Sequence, residues 1–212
     1  MNTRLPVLRL LFWPSLVTAL ISVLRLVAEV NGWLTNVSGG RLLPLGITWC
    51  IFVFGAWFGR ALATAGNRPQ VRLAFVWALL ALLLVMTTVA QEFGPLVGGD
   101  QSDETFTAVR TAVLTGAGVA TISAVAMFFV WSRLAWLMLL YALPARALVI
   151  ALTWLAKTQE WDTHYTKFGP PGIERDLPTT MVSACIAQFG FWVPLTIVGG
   201  TLAGTLFVRR RA

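Results

Sequence analysis

Charged side chains are scarce in this 212-residue sequence: Asp, Glu, Lys and Arg together make up 12% of it, while hydrophobic residues make up 57%. A typical soluble domain is about 25% charged and about 45–50% apolar. The mean hydropathy of +0.75 points the same way. This imbalance excludes a water-soluble globule, a disordered chain and a disulfide scaffold, and it leaves a protein that crosses a membrane several times.

Histidine and cysteine are also rare, with one His and two Cys in the chain. Cys50 and Cys185 lie inside apolar runs, far from any spacing typical of metal ligands, so we expect reduced, packed thiols and no metal site. A single histidine excludes both the HExxH zinc pattern and a bis-histidine haem. The sequence also lacks a Gly-rich phosphate loop, a CxxC pair and a GxSxG elbow. It therefore assigns no catalytic residue and leaves any cofactor unknown.

Six apolar runs are long enough to cross a bilayer, because a hydrocarbon core about 30 Å thick requires about 20 helical residues. They cover approximately residues 7–30, 42–63, 71–91, 106–131, 134–156 and 180–207. These runs are apolar on every face, which favours helices over the alternating strands of a membrane barrel. We predict an all-α bundle of six spans that forms a single integral membrane domain over residues 1–212, with long loops at 92–105 and 157–179.

The distribution of charge predicts how the bundle is oriented. With the N-terminus in the cytoplasm, nine arginines and no acidic residue fall on the inner side: Arg4, Arg9, Arg60, Arg68, Arg72, Arg133, Arg209, Arg210 and Arg211. Every Asp and Glu falls on the outer side. Because Lys and Arg collect on cytoplasmic loops, we predict a bacterial cytoplasmic (inner) membrane protein with both termini cytoplasmic. The net charge of +7 then requires no nucleic-acid partner.

The boundary between the fourth and fifth spans is the least marked. Only Ser132 and Arg133 separate the two runs, without a Gly or Pro to turn the chain. One helix over residues 111–156 would be about 69 Å long, more than twice the hydrocarbon thickness. We therefore predict a hairpin at Ser132 and Arg133, with a break at Pro144 as the alternative.

Small residues recur at intervals of four in three of the spans. The stripes are Ala112, Gly116, Ala120 and Ala124; Gly55, Gly59 and Ala63; and Gly200 with Gly204. Such spacing lets membrane helices approach closely. We interpret the stripes as contacts within the bundle, and a homo- or hetero-oligomer formed through them is the alternative.

Arg146 lies about 12 residues into the fifth span, near its middle. A charge at the bilayer centre costs about 2.5–3.5 kcal/mol even on insertion scales, so this side chain should face the bundle interior. It would form an ion pair with Glu29 or Glu92, contact carbonyls freed by Pro144, or bind a ligand. For the last case we group Arg146, Tyr141, Glu92 and Glu29 as candidate ligand-binding residues.

The 157–179 loop holds the second set of candidates, namely Glu160, Asp162, His164 and Tyr165. Asp162 and His164, two residues apart, would reach one metal ion, or the carboxylate would orient the imidazole as a general base. Neither spacing is specific. A solvated loop that packs on the membrane surface is the simpler interpretation.

Three functions fit these patterns. The first is a transporter or solute-binding bundle with a midplane arginine. The second is a non-catalytic accessory subunit of a membrane complex, and the third is an outer-face enzyme that uses the 157–179 loop. The near absence of intramembrane carboxylates counts against a proton-coupled pump. We favour the first because Arg146 has no evident acidic partner at its depth, and beyond the lipid bilayer no partner is identified.

Overall fold

The computed structural model describes residues 6–36, 45–93, 103–167 and 175–208, and all regular structure within them is helical. The α-helices are α1 (Val7–Val30), α2 (Thr48–Thr64), α3 (Val71–Phe93), α4 (Asp103–Thr158), α5 (Leu177–Cys185) and α6 (Val193–Leu206). A 3₁₀ turn, His164–Thr166, precedes α5, and a π-helical segment, Ile186–Trp192, joins α5 directly to α6. The predicted all-α class is confirmed.

Within the described part of the chain, four helical stretches are long and apolar enough to cross a membrane: Val7–Val30, Val71–Glu92, Thr107–Thr158 and Leu177–Leu206. The predicted run 42–63 is shorter as a helix, because α2 has 17 residues and begins at Thr48. Residues 45–47 before it are not helical, and Gly46 among them disfavours helix. Residues 42–44 lie outside the described part of the chain.

Helix α4 changes direction at Trp131, whose backbone has non-helical angles of φ −152° and ψ 77°. The rings of Phe128 and Trp136 are 5.1 Å apart. Eight residues of straight helix would separate their Cα atoms by about 12 Å. The chain therefore reverses between an N-terminal arm (103–130) and a C-terminal arm (132–158).

Contacts with the π segment confirm that the two arms are antiparallel. Thr121 of the first arm donates a hydrogen bond to the Gly190 carbonyl, and Arg146 of the second donates one to Gln188. Residues 25 positions apart thus lie at the same depth. The break adjoins the predicted position at Ser132, and Pro144 lies within continuous helix, so the alternative break there is wrong.

The reversal defines two ends of the bundle. At the Trp131 end, the Trp131 indole N–H donates to Asn67 Oδ1 at 2.9 Å and joins α4 to the α2–α3 connection. At the His164 end, the 3₁₀ turn after α4 lies against the last turns of α1.

Helices α2 and α6 touch through glycines. An added Cβ on Gly55 would lie 2.5 Å from Gly200 Cα, and one on Gly59 would lie 2.5 Å from Gly204 Cα. The interpretation of these two stripes as contacts within the bundle is confirmed. Both stripes are therefore covered within the chain.

On α1 the exposed residues are mostly apolar and the buried residues include charged ones, which is the opposite of a helix in a soluble protein. Leu8, Phe12 and Leu24 are 84%, 57% and 55% exposed, while Arg25 and Glu29 are buried. In water such an apolar exterior would be a large unpaired hydrophobic patch. It suits a hydrocarbon environment, in which apolar side chains face lipid and polar side chains face protein.

The glycine contact leads to a stability prediction. Gly55→Ala should lower the free energy of unfolding by about 1–3 kcal/mol, because the new methyl group would overlap the Gly200 backbone. Gly118→Ala is the matched control, since it lies on α4 with no neighbour within 4 Å and should be neutral or slightly stabilising. Titration with a denaturing detergent measures both, and equal stabilities for the two variants would contradict the close approach.

Candidate functional site

Helix α1 carries an inward row of polar residues that we name the α1 polar face: Thr18, Ser22, Arg25 and Glu29. The intervals of four, three and four residues place them on one side of a helix. Each is at most 6% exposed. In a helix whose other faces are apolar, this row directs hydrogen-bonding groups into the bundle for more than two turns.

At the His164 end, Glu29 is the centre of a buried ionic cluster. Its carboxylate accepts a hydrogen bond from Arg25 Nε at 2.9 Å and lies 2.7 Å from His164 Nδ1. The His164 backbone N–H also donates to it, at 2.9 Å. The Glu29 side chain is fully buried. Three donors on one carboxylate offset the loss of its hydration and hold the turn after α4 against α1.

Tyr165 extends this contact toward the middle of the bundle. Its hydroxyl donates to the Ser22 carbonyl at 3.1 Å, and its ring lies 3.9 Å from that of His164. Burial raises the pKa of Tyr165 well above the ordinary value for a phenol. The Tyr165 hydroxyl therefore stays protonated and serves as a donor.

The other two loop candidates lie apart from this cluster. Asp162 accepts from Asn36 Nδ2 at 2.7 Å and pairs with Lys167, with its own side chain 74% exposed. Glu160 is exposed and adopts a left-handed φ of 55° where the chain leaves α4. The structure orients the His164 imidazole through Glu29 and not through Asp162, so the predicted Asp162–His164 pair is not formed.

Deeper in the bundle, the α1 polar face meets Tyr141 of the C-terminal arm. Ser22 Oγ donates to the Thr18 carbonyl at 2.9 Å, and the Thr18 and Tyr141 hydroxyls are 2.7 Å apart. The rings of Phe54 and Phe58 pack edge-on against Tyr141. A row of buried hydrogen-bonding groups thus extends from the His164 end to a hydroxyl pair that packs against two aromatic rings.

Arg146 lies five residues after Tyr141 on the C-terminal arm of α4. It is 5% exposed. Its Nη1 donates to Gln188 Oε1 at 3.5 Å, a long hydrogen bond, and its Cζ is 4.8 Å from the centroid of the Trp192 ring. Among the described residues no carboxylate lies within ion-pair distance of Arg146.

The predicted ionic partners of Arg146 therefore have other positions. Glu29 is engaged by Arg25 and His164, so the expected Arg146–Glu29 pair is wrong. Glu92 lies in the last turn of α3, and no contact described in this structure joins it to Arg146. Of the other three candidate ligand-binding residues, only Tyr141 lies on the same arm of α4 as Arg146, five residues before it.

Irregular helix geometry supplies both partners of Arg146. Gln188 and Trp192 belong to the π segment, and Pro194 follows it. Pro194 has no N–H to donate to the Gly190 carbonyl, which accepts instead from the Thr121 hydroxyl at 3.4 Å. Such π insertions are frequent at functional sites.

Thr18, Ser22 and Arg25 of the α1 polar face, and Gln188, were not predicted as site residues from the sequence. The available signal was the interval of four, three and four between Thr18, Ser22, Arg25 and Glu29 in an otherwise apolar run. Each of these residues is unremarkable alone. Taken together, their periodicity predicts one inward polar stripe.

The described residues contain no group of three His, Cys, Asp or Glu side chains that would hold a metal ion. Comparisons of the chain with protein-family models, with curated proteins and with solved structures find no match.

The ionic cluster predicts an asymmetry between single and double variants. Glu29→Leu should lower the free energy of unfolding by about 3–5 kcal/mol, because it leaves the buried Arg25 charge unpaired. The double variant Arg25→Met with Glu29→Leu should recover the part of that loss that comes from the unpaired Arg25 charge, while the two His164 donors still lack their acceptor. Glu92→Gln, at a half-buried acid near a helix end, is the control and should change stability little.

Detergent titration of the wild type, Glu29→Leu, Arg25→Met and the double variant completes a double-mutant cycle. Additive effects of the Arg25 and Glu29 substitutions would contradict the coupling described above.

Proposed function

We propose that this protein is an integral membrane protein that binds a small anionic solute at Arg146, and that it acts as a solute-binding or transport bundle. The observation that carries the proposal is a guanidinium buried in the middle of the bundle with one long hydrogen bond and no described carboxylate partner. A guanidinium has five N–H donors, and a buried charge is costly unless it is paired. An anion would satisfy both requirements.

Arg25 provides a comparison with Arg146 within the same chain. Arg25 is equally buried, and there the charge is neutralised by Glu29 at 2.9 Å. The protein therefore supplies a counterion to one buried arginine while the other has none among the described residues. This difference supports a ligand as the missing partner at Arg146.

The depth of Arg146 supports a role inside the membrane. It lies 14 residues after Ser132 and 12 before Thr158, which places it about 21 Å and about 18 Å along the arm from the two ends. The arginine side chain is too short to reach either surface. The α1 polar face, which begins at the His164 end and leads to Tyr141, is the route that we propose for a polar solute.

The proposal includes six crossings with both termini in the cytoplasm of a bacterial cell. The antiparallel arms of α4 support two crossings from one helix, and the 17 residues of α2 extend about 26 Å, close to the hydrocarbon thickness. The described arginines of the Trp131 end, Arg9, Arg60, Arg68, Arg72 and Arg133, support its location on the cytoplasmic side.

Cysteine labelling tests this orientation. In a background with Cys50→Ala and Cys185→Ala, Ser132→Cys should react with a membrane-impermeant maleimide only in inside-out vesicles. Gln159→Cys, which is exposed at the His164 end, should react only in intact spheroplasts. Labelling of both positions from one side would contradict the six-span topology.

The native Cys50 thiol reports on the solute site, because it is buried beside Thr18 and Tyr141. In a Cys185→Ala background, a bound anion should slow the reaction of Cys50 with a small neutral thiol reagent. Phosphate, acetate and succinate are the probes. Arg146→Gln should weaken this protection about ten- to a hundredfold, the range expected for loss of a charged hydrogen bond.

Arg110 is an exposed arginine near the start of the N-terminal arm of α4, far from the Trp131 end. Arg110→Gln is the matched control and should leave the protection unchanged. Two results would contradict anion binding at Arg146. One is a Cys50 reaction rate that none of the three anions changes, and the other is equal protection in the Arg146→Gln variant.

A further inference from the structure

A groove with a volume of about 580 Å³ lies between α3 and the N-terminal arm of α4. Its walls are almost entirely apolar, with Leu73 and Leu84 on one side and Ile122 and Val130 on the other. Gln70 stands at the end nearest Trp131. Arg146 is not among the lining residues, so the groove is separate from the proposed solute site.

The length of the groove identifies the kind of occupant. From Leu73 to Leu84 it extends about 16 Å along α3. One leaflet of the hydrocarbon core is about 15 Å thick, which is half of the full core. A transmembrane helix from a partner would follow the whole 23-residue length of α3, about 34 Å. The groove therefore matches a lipid acyl chain in a single leaflet.

Basic residues mark the end at which a lipid headgroup would lie. Arg72 is exposed two positions after Gln70, and Arg133 is exposed three positions after Val130. Both belong to the Trp131 end, where the groove begins. Arginine near a membrane surface attracts anionic lipid headgroups. Charge complementarity thus favours a negatively charged headgroup over a zwitterionic one.

We propose that this groove is a binding site for an anionic phospholipid. One acyl chain lies between α3 and the N-terminal arm of α4, and the phosphate-bearing headgroup is bound by Arg72 and Arg133. The bound lipid contacts α3 and the N-terminal arm of α4. It lies next to the reversal at Trp131, which links these helices to the rest of the bundle.

Native mass spectrometry of the delipidated full chain in detergent tests the site. Dioleoylphosphatidylglycerol and dioleoylphosphatidylcholine have the same acyl chains and differ in headgroup charge. The anionic lipid should bind at least about fivefold more tightly. The Arg72→Gln and Arg133→Gln double variant should reduce it to the level of the zwitterionic lipid. Arg110→Gln, at the opposite end, should retain the preference.

A second variant tests the acyl-chain part of the site. Ala126→Trp would fill the groove and should weaken binding of both lipids several-fold, whereas Val125→Trp, at an exposed neighbour outside the lining, should not. The proposal is overturned by equal affinity for the two lipids or by an unchanged affinity in the Ala126→Trp variant. A dimer of this chain that the same Trp blocks would overturn it as well.

Discussion

Hydrocarbon cannot form hydrogen bonds, so backbone groups and charged side chains inside a membrane need polar partners. Helix α1 shows the consequence most directly. Its exposed residues are large and apolar, including Phe12 and Leu24, and its buried residues include Arg25 and Glu29. The polar interior is then a set of specific contacts, because Ser22 and Thr18 each bond to a carbonyl four residues earlier and Thr18 also contacts Tyr141.

The same constraint separates the two buried arginines. Arg25 has a carboxylate at 2.9 Å, which itself receives two further hydrogen bonds from His164, and this cluster joins α1 to the turn after α4. Arg146 is held by Gln188 and the Trp192 ring, both in a π segment that interrupts regular helix. In the first cluster a carboxylate balances the arginine charge, and the cluster holds two parts of the fold together. The group around Arg146 has a positive charge that no described carboxylate balances, and this is the site that we propose binds an anion.

The surroundings of Arg146 are held by close backbone packing. The Gly55–Gly200 and Gly59–Gly204 contacts bring α2 and α6 so close that a Cβ on Gly55 or Gly59 would overlap the opposing backbone, and the Met138 and Leu134 side chains of the C-terminal arm fill the space beside Gly200 and Gly204. This arm therefore lies against α6 as well as α1. Its position fixes where Tyr141 and Arg146 point, and it depends on the reversal at Trp131.

Composition and apolar run length were enough to predict an all-helical membrane protein, because the energy of transfer into lipid depends on residue type and not on partners. Length also required a break near Ser132, since one continuous helix would exceed the bilayer. The site was less accessible to sequence reasoning. Arg146 was identified from its depth, but its partners Gln188 and Trp192 depend on a π insertion that no local pattern marked. Glu29 and His164 are 135 residues apart, and only the rotation and packing of the helices decided that they meet, because side-chain pairing across a bundle is a property of tertiary geometry.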